Sequence, residues 1–386
     1  MYFIIDQTAG ENKEKPEKSP DTRKNRRWAA ICLIMLAAAL LLRILSRALP
    51  GFADRYSDLV NPFMVGSLGR VSGMLPFSLF ELLLCLLGIM VLRAAYHLAA
   101  DLCFRNREAP CRRRYLADIR FLTLLAAALI LLFEINEDVY FSRTRFAARY
   151  GLERSFYTNE ELEEVCSYLI GEINETAPFV DRDEKGIMQV SEGLTGRMRA
   201  AMQALGEEYP ELSGWYPHPK PVFFSTLLSR CDITGVYSMF TIEANFNRDI
   251  PPYNLPFTMG HELSHLKGFE SEKEANFLGY LSCIRGQAPD LHYSGAMLGW
   301  VYCGNEMKKR DPGIWRQLAA RICPEADRDL QDNNRYWDGY KGRASETMHD
   351  INDTYLKAEG LEEGYASYDL VTDMIVAYYF SDRNTG

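Results

Sequence analysis

Three apolar runs in the first 136 residues restrict this chain more than anything else in it. A segment in hydrocarbon must satisfy all of its own backbone N–H and C=O groups, and a single run can do so only as a helix. Trp28 to Leu42 is apolar throughout and continues past Arg43 to Leu49, Leu75 to Leu92 is broken mainly by Glu81, and Phe121 to Phe133 reaches spanning length only with Ile119 and Ile135. Crossing a bilayer takes about 20 residues, so the runs predict transmembrane helices over residues 28–48, 74–93 and 119–136. The first reads as an anchor and not as a cleaved signal peptide: its polar leader is long, no small-x-small site follows, and Arg43 and Arg47 flank its end. Glu81 lies near an end of its run, where it can reach the interface or face a neighbouring helix.

Charge orients these helices. Lys and Arg crowd residues 13–27 and 105–114, whereas residues 51–73 hold only Arg55 and Arg70. By the positive-inside rule the tail, residues 1–27 and disordered by composition, lies in the cytoplasm with the second loop. Three crossings then leave everything after about Asn136 outside, so the short third run decides the side of the domain that follows. The first 150 residues carry 21 Lys and Arg against 14 Asp and Glu, the remainder 22 against 38. An acidic domain without a basic stripe argues against nucleic acid, and the expected partners are the lipid bilayer and a protein or peptide substrate.

Within the acidic part, His261-Glu262-Leu263-Ser264-His265 carries the chemistry. On a helix, positions i and i+4 share a face, so both imidazoles can reach one Zn2+, while Glu262 beside them can take a proton from water that the metal activates. Leu263 and Leu266 give the helix an apolar side, and Lys267-Gly268 predicts its end. Ser271 followed by Glu274 reads as a capping box opening a second helix. A third ligand can come from Glu270, Glu272 or Glu274. Glu270 sits in the turn and the box would occupy Glu274, so Glu272 is favoured; it shares a face with Ala275 and Asn276, the one small, the other able to hydrogen-bond a ligand. The metzincin pattern would need histidine where Ser271 stands.

Around this motif the domain expected over residues 147–386 is α+β, mostly helical with a small sheet. Helices are predicted from Thr158 to Ile173, Leu194 to Leu205, Gly295 to Lys308, Ile314 to Ile322, Ala344 to Glu359 and Tyr368 to Phe380. A strand is expected to start at Pro219–Phe224, and one or two more at Gly235–Phe246. The five cysteines of this part, Cys166, Cys231, Cys283, Cys303 and Cys323, form no C-x-x-C pair, so no disulfide framework or cysteine metal site is indicated.

The stretch Pro256 to Cys283, with Gly235-Val236-Tyr237, Glu243-Ala244-Asn245, Asn352 to Lys357 and Ser367-Tyr368, resembles the bacterial family catalogued as domain of unknown function 3810. Its members resemble membrane-anchored zinc peptidases, and the E-x-x-A-N element is similar to the E-x-x-A-D element of gluzincin peptidases. The resemblance implies a zincin-like domain on a multi-pass protein of the bacterial cytoplasmic membrane, with His261, His265 and Glu272 as zinc ligands and Glu262 as base. The order of strand and then metal helix also resembles zincins, where the sheet edge pairs with an extended substrate. The expected function is zinc-dependent hydrolysis of extracytoplasmic peptide bonds by an endopeptidase. Oxyanion donors could be His292, Tyr293, His349, Tyr355 or Tyr368, with Tyr355 preferred. The rivals are a non-catalytic zinc-stabilised envelope protein and an intramembrane-type metalloprotease; charge and proline in residues 250–275 disfavour the second.

Overall fold

The computed structural model describes residues 22–103, 109–154, 156–343, 345–348, 350, 354 and 369–385. Among the described residues, three helices are long and apolar enough to span a membrane, Arg26–Ala48, Leu79–Cys103 and Arg114–Phe141. They belong to α1 (Thr22–Ala48), α3 (Leu79–Cys103) and α4 (Ala109–Phe133), the last continuing through a wider π turn, Glu134–Asp138, to Phe141. Polar groups join them: Trp28 Nε1 donates to Arg120 O at 2.9 Å, and Arg43 and Arg47 both reach Asp138 Oδ1, at 2.7 and 3.3 Å. The second span starts at Leu79 and not at 74. The chain bends through Leu75, Pro76 and Phe77, and then Ser78 Oγ accepts from Glu81 N and Glu243 accepts from Leu79 N and Phe80 N, so the first N–H groups of the helix are satisfied there. The third span extends past 136, to Phe141.

Between the first two spans, α2 (Phe52–Met64) turns its polar side to the following domain. Asn61 Nδ2 donates to Leu266 O at 2.9 Å and Tyr56 OH to Ile135 O at 3.1 Å. This segment therefore lies on the same side of the spanning helices as the HExxH helix. Glu81 accepts from the N–H groups of Phe223 and Phe224, which makes it a joint to that domain.

The domain is helical around a three-stranded sheet. Its helices are α5 (Asn159–Thr176), α6 (Leu194–Leu205), α7 (Ser225–Arg230), α8 (Asn254–Leu266), α9 (Glu272–Ile284), α10 (Pro289–Arg310), α11 (Pro312–Ala319), α12 (Pro324–Asp338) and α13 (Asp369–Thr385). Strands β1 (Lys220–Pro221), β2 (Gly235–Ser238) and β3 (Glu243–Phe246) are ordered β1-β3-β2, β1 parallel and β2 antiparallel to β3. Helix α5 opens on the Thr158/Glu161 capping box and buries Leu162, Val165, Cys166, Leu169, Ile170 and Ile173, the stripe expected of a 3.6-residue period. Helix α10 starts at Pro289, earlier than Gly295, because Ala288 is extended and proline suits a first helical turn. Helix α12 is not anticipated, since only Ala326 and Asp329 of its mostly polar sequence are buried. Most of the helix predicted over 344–359 lies outside the described residues.

α8 is the central element, packed on β2, β3, α6, α9 and α10. It crosses α9 where a Cβ on Gly260 would stand 3.2 Å from Gly279 Cα, and one on Gly279 would stand 3.0 Å from Phe257 O. Only a hydrogen at these positions lets the two backbones approach this closely.

Candidate metal centre

The end of α8 builds the site. Gly268 is left-handed (φ +78°), its N–H returns to His265 O at 2.8 Å, and Phe269 N returns to Ser264 O at 3.2 Å, a Schellman stop. The reversal places Phe269 O 2.9 Å from His265 Nδ1. One turn earlier on the helix, His261 Nδ1 meets Asn276 Oδ1 of α9 at 2.9 Å. Both acceptors are oxygens, so both rings carry their proton on Nδ1 and direct an unprotonated Nε2 forward. The two Nε2 atoms are 3.0 Å apart. Glu272 completes the group, its carboxylate 3.4 Å from His261 Nε2 and 3.9 Å from His265 Nε2. The three residues offer ligand atoms within 4.8 Å of one another.

Glu270 and Glu274 are not brought to these nitrogens. Glu270 is buried 3.6 Å from His265 Nδ1, behind the ring. Ser271 is the N-cap of α9, yet its side chain makes no cap bond and the expected capping box is absent: Glu274 is buried and accepts from Ala147 N instead. The orphan amides at the start of the Phe146–Arg149 turn compete for that carboxylate and win, because they would otherwise be buried without partners.

Glu262 is 3% exposed, with Oε1 4.0 Å from His261 Nε2. Burial, and then the Glu272 carboxylate, raise it well above the usual range, opposed by a hydrogen bond from Tyr237 N–H. Burial, and then His265, lower His261 to about 4, which leaves it neutral near pH 7 as a ligand must be. Tyr237 stacks beside His265 with ring centroids 6.4 Å apart, and Phe257 beside His261 at 6.5 Å. The Glu272 side chain is 45% exposed, so the group is closed on the α8 side and open beyond that carboxylate.

β2 is the sheet edge beside this group. Since Asn247 N donates to Thr234 O, the alternation of an antiparallel ladder turns Val236 and Ser238 toward β3, and Gly235, Tyr237 and Met239 outward. Two of the outward groups are taken: Tyr237 N–H by Glu262, and Met239 O by Asn136 Nδ2 of the π turn at 2.9 Å. Gly235 lies against Glu262; a Cβ there would be 2.4 Å from its Oε1. Sequence reasoning does not single out Gly235, because a glycine opening a strand carries no sign of what approaches it from the other side.

Among the proposed oxyanion donors, His292 is paired with Glu172, and Tyr293 OH donates to Asp329 at 2.6 Å, fully buried. His349, Tyr355 and Tyr368 lie outside the described residues. A family profile described as "Protein of unknown function (DUF3810)" matches residues 56–376. No curated protein and no solved structure matches the chain.

Proposed function

Since the chain belongs to the DUF3810 family, a grouping that carries no assigned activity, we propose from its site that it is a membrane-anchored, zinc-dependent metallopeptidase with a zincin-like domain facing the extracytoplasmic side. The observation that carries this reading is the pair of imidazoles with Nε2 atoms 3.0 Å apart and both Nδ1 atoms already engaged. Two lone pairs so placed repel unless a cation lies between them. Zinc–nitrogen bonds of 2.0–2.1 Å in tetrahedral array separate two ligand nitrogens by about 3.3 Å, so the pair is near its binding spacing. Glu272 supplies the third ligand, and its exposed side leaves room for water and substrate, which favours a catalytic over a closed structural role.

Zinc, when bound, supplies Lewis acidity that makes water ionisable near neutral pH and polarises a peptide carbonyl. Glu262 receives the proton of the attacking water as the C–O bond forms and delivers it to the amine nitrogen as the C–N bond breaks. Its raised proton affinity is the direction a general base requires, and Tyr237 N–H holds its orientation. An extended peptide can pair with β2 at the Gly235 end, since the groups further along are engaged. The packing of α8 within the domain, on β2, β3 and three helices, disfavours the intramembrane alternative.

The test is metal analysis of the full-length protein in detergent with a broad peptide-cleavage profile. About one zinc is expected, lost in His265→Ala and Glu272→Ala, whereas Glu262→Gln keeps the metal and loses cleavage. Bound zinc without cleavage of any peptide would make the site structural. Reporter fusions after Arg27, Asn61, Arg113 and Tyr150 should read inside, outside, inside and outside; a cytoplasmic signal at Tyr150 would reverse the orientation.

A further inference from the structure

Helix α7 is amphipathic the wrong way round for a surface in water. Its serines are buried, Ser225 at 1% and Ser229 at 0% exposure, and are satisfied internally by Val222 O and Ser225 O. Outside stand Phe223 and Phe224, just ahead of the helix, and Leu227 within it, at 71, 50 and 59% exposure, beside the exposed polar side chains of Thr226 and Arg230. A face that hides hydroxyls and presents phenyl rings is suited to an apolar medium.

The depth of this face is set by a contact with the second span. Phe223 N and Phe224 N donate to Glu81 at 2.8 and 2.9 Å, and Glu81 is the third residue of the span Leu79–Cys103. At 1.5 Å per residue that span is about 37 Å long, against about 30 Å of hydrocarbon, so its first turn stands at the boundary layer. Met74 and Phe77, exposed just ahead of the same span, extend the patch, and the Arg248 guanidinium lies over the Phe223 ring, 5.9 Å from its centroid. Aromatic rings with cationic neighbours at this depth match the interfacial layer, where the charge can meet lipid phosphates.

We propose that Phe223, Phe224 and Leu227 are seated in the interfacial layer of the bilayer that the spans cross, so that the domain is fixed to the membrane at a fourth point. α7 leads within five residues into β2, the edge beside Glu262, which places that edge no more than about 17 Å along the chain from the docked helix. Resting on the peptidase reading, this assigns the substrate class: extended segments of proteins or peptides that emerge from the same membrane.

The test uses full-length protein in vesicles of phosphatidylcholine and phosphatidylglycerol carrying nitroxide on upper acyl carbons, with a fluorescent amino acid introduced at position 227 or at exposed position 316 on α11. Quenching at 227 should exceed that at 316 by about threefold or more; equal quenching overturns the docking, including the case in which another protein covers the patch. In a second arm, Phe223→Ser/Phe224→Ser/Leu227→Ser, which keeps the backbone bonds to Glu81, should slow cleavage of a vesicle-anchored peptide about tenfold and leave the same peptide in solution unaffected. Equal effects on both peptides overturn the substrate assignment. Absence of cleavage by the unaltered protein overturns the peptidase reading itself, and quenching still decides the docking.

Discussion

Gly235→Ala places a methyl group against the proposed base, and the three atoms nearest to it all belong to Glu262. The new Cβ would stand 2.4 Å from Glu262 Oε1 and 2.8 Å from its Cγ and Cδ, where ordinary contact begins at 3.4 Å. The carboxylate must therefore retreat by about 1 Å, and a displacement of that size in a reacting group costs about 100-fold in rate, or about 2.7 kcal/mol. Glu262 is buried and held by Tyr237 N–H, so part of the clash will also surface as lost stability, about 1–3 kcal/mol for overpacking. The assay is kcat/KM on a cleaved peptide, with zinc content and Tm measured on the same preparations. Activity should fall about 100-fold at full zinc occupancy, and the penalty should shrink in a Glu262→Asp background, where the shorter side chain leaves room for the methyl. Activity within about twofold of the parent in a folded variant, or metal lost in step with activity, would refute the reasoning.

Asn276→Ala removes the acceptor that fixes the His261 tautomer, and zinc affinity by chelator competition should drop about 10- to 100-fold while Asn276→Asp retains it; unchanged affinity would reduce Asn276 to packing. Glu243→Gln leaves Lys220, 4% exposed, without its ionic partner, and should cost about 3–5 kcal/mol in thermal unfolding, partly recovered by adding Lys220→Met; an unchanged Tm would show that the pair is dispensable. Burial pushes the Cys166 and Cys283 thiols up to about 12 and Cys303 in the same direction. A raised pKa keeps these thiols protonated, so, of the five cysteines of the domain, a maleimide should label Cys231 and Cys323 between about pH 7 and 9 and reach Cys166, Cys283 and Cys303 only after denaturation. Prompt labelling of Cys283 in the folded protein would mean that the α9 core opens.

The sequence makes the site helix legible because its signals are local. The i, i+4 histidines, the apolar Leu263 and Leu266 and the stop at Gly268 all act within one helix and its turn, and Asn276 is visible as a partner because it shares a helical face with Glu272. What pattern reading misses depends on segments far apart in the chain. The Ser271/Glu274 pair satisfies the local rule for a capping box, yet amides more than 120 residues earlier claim the carboxylate. Gly260 and Gly279 are ordinary helical residues until two backbones cross at them. The apolar run from Leu75 looks like a helix start, but the chain turns until Ser78 and a distant Glu243 can satisfy the first amides at Leu79.

The last turn of α8 also explains why the spanning helices and the site form one mechanical unit. A helix end leaves carbonyls without intrahelical donors. Two at this end are served from membrane-proximal segments: Leu266 O by Asn61 Nδ2 of α2 at 2.9 Å, and Lys267 O by Arg143 Nη1 just beyond the third span at 3.2 Å. His265 is the residue immediately before Leu266. Across the sheet, Glu243 accepts from the first amides of the second span and also faces Lys220. A chain cut at residue 147 would strip donors from both carbonyls and from a buried carboxylate at once, each loss costing about 1–3 kcal/mol. The segments that join and follow the apolar helices thus supply hydrogen bonds that hold the proposed ligand helix in place, which couples the geometry at His265 to the packing of those helices.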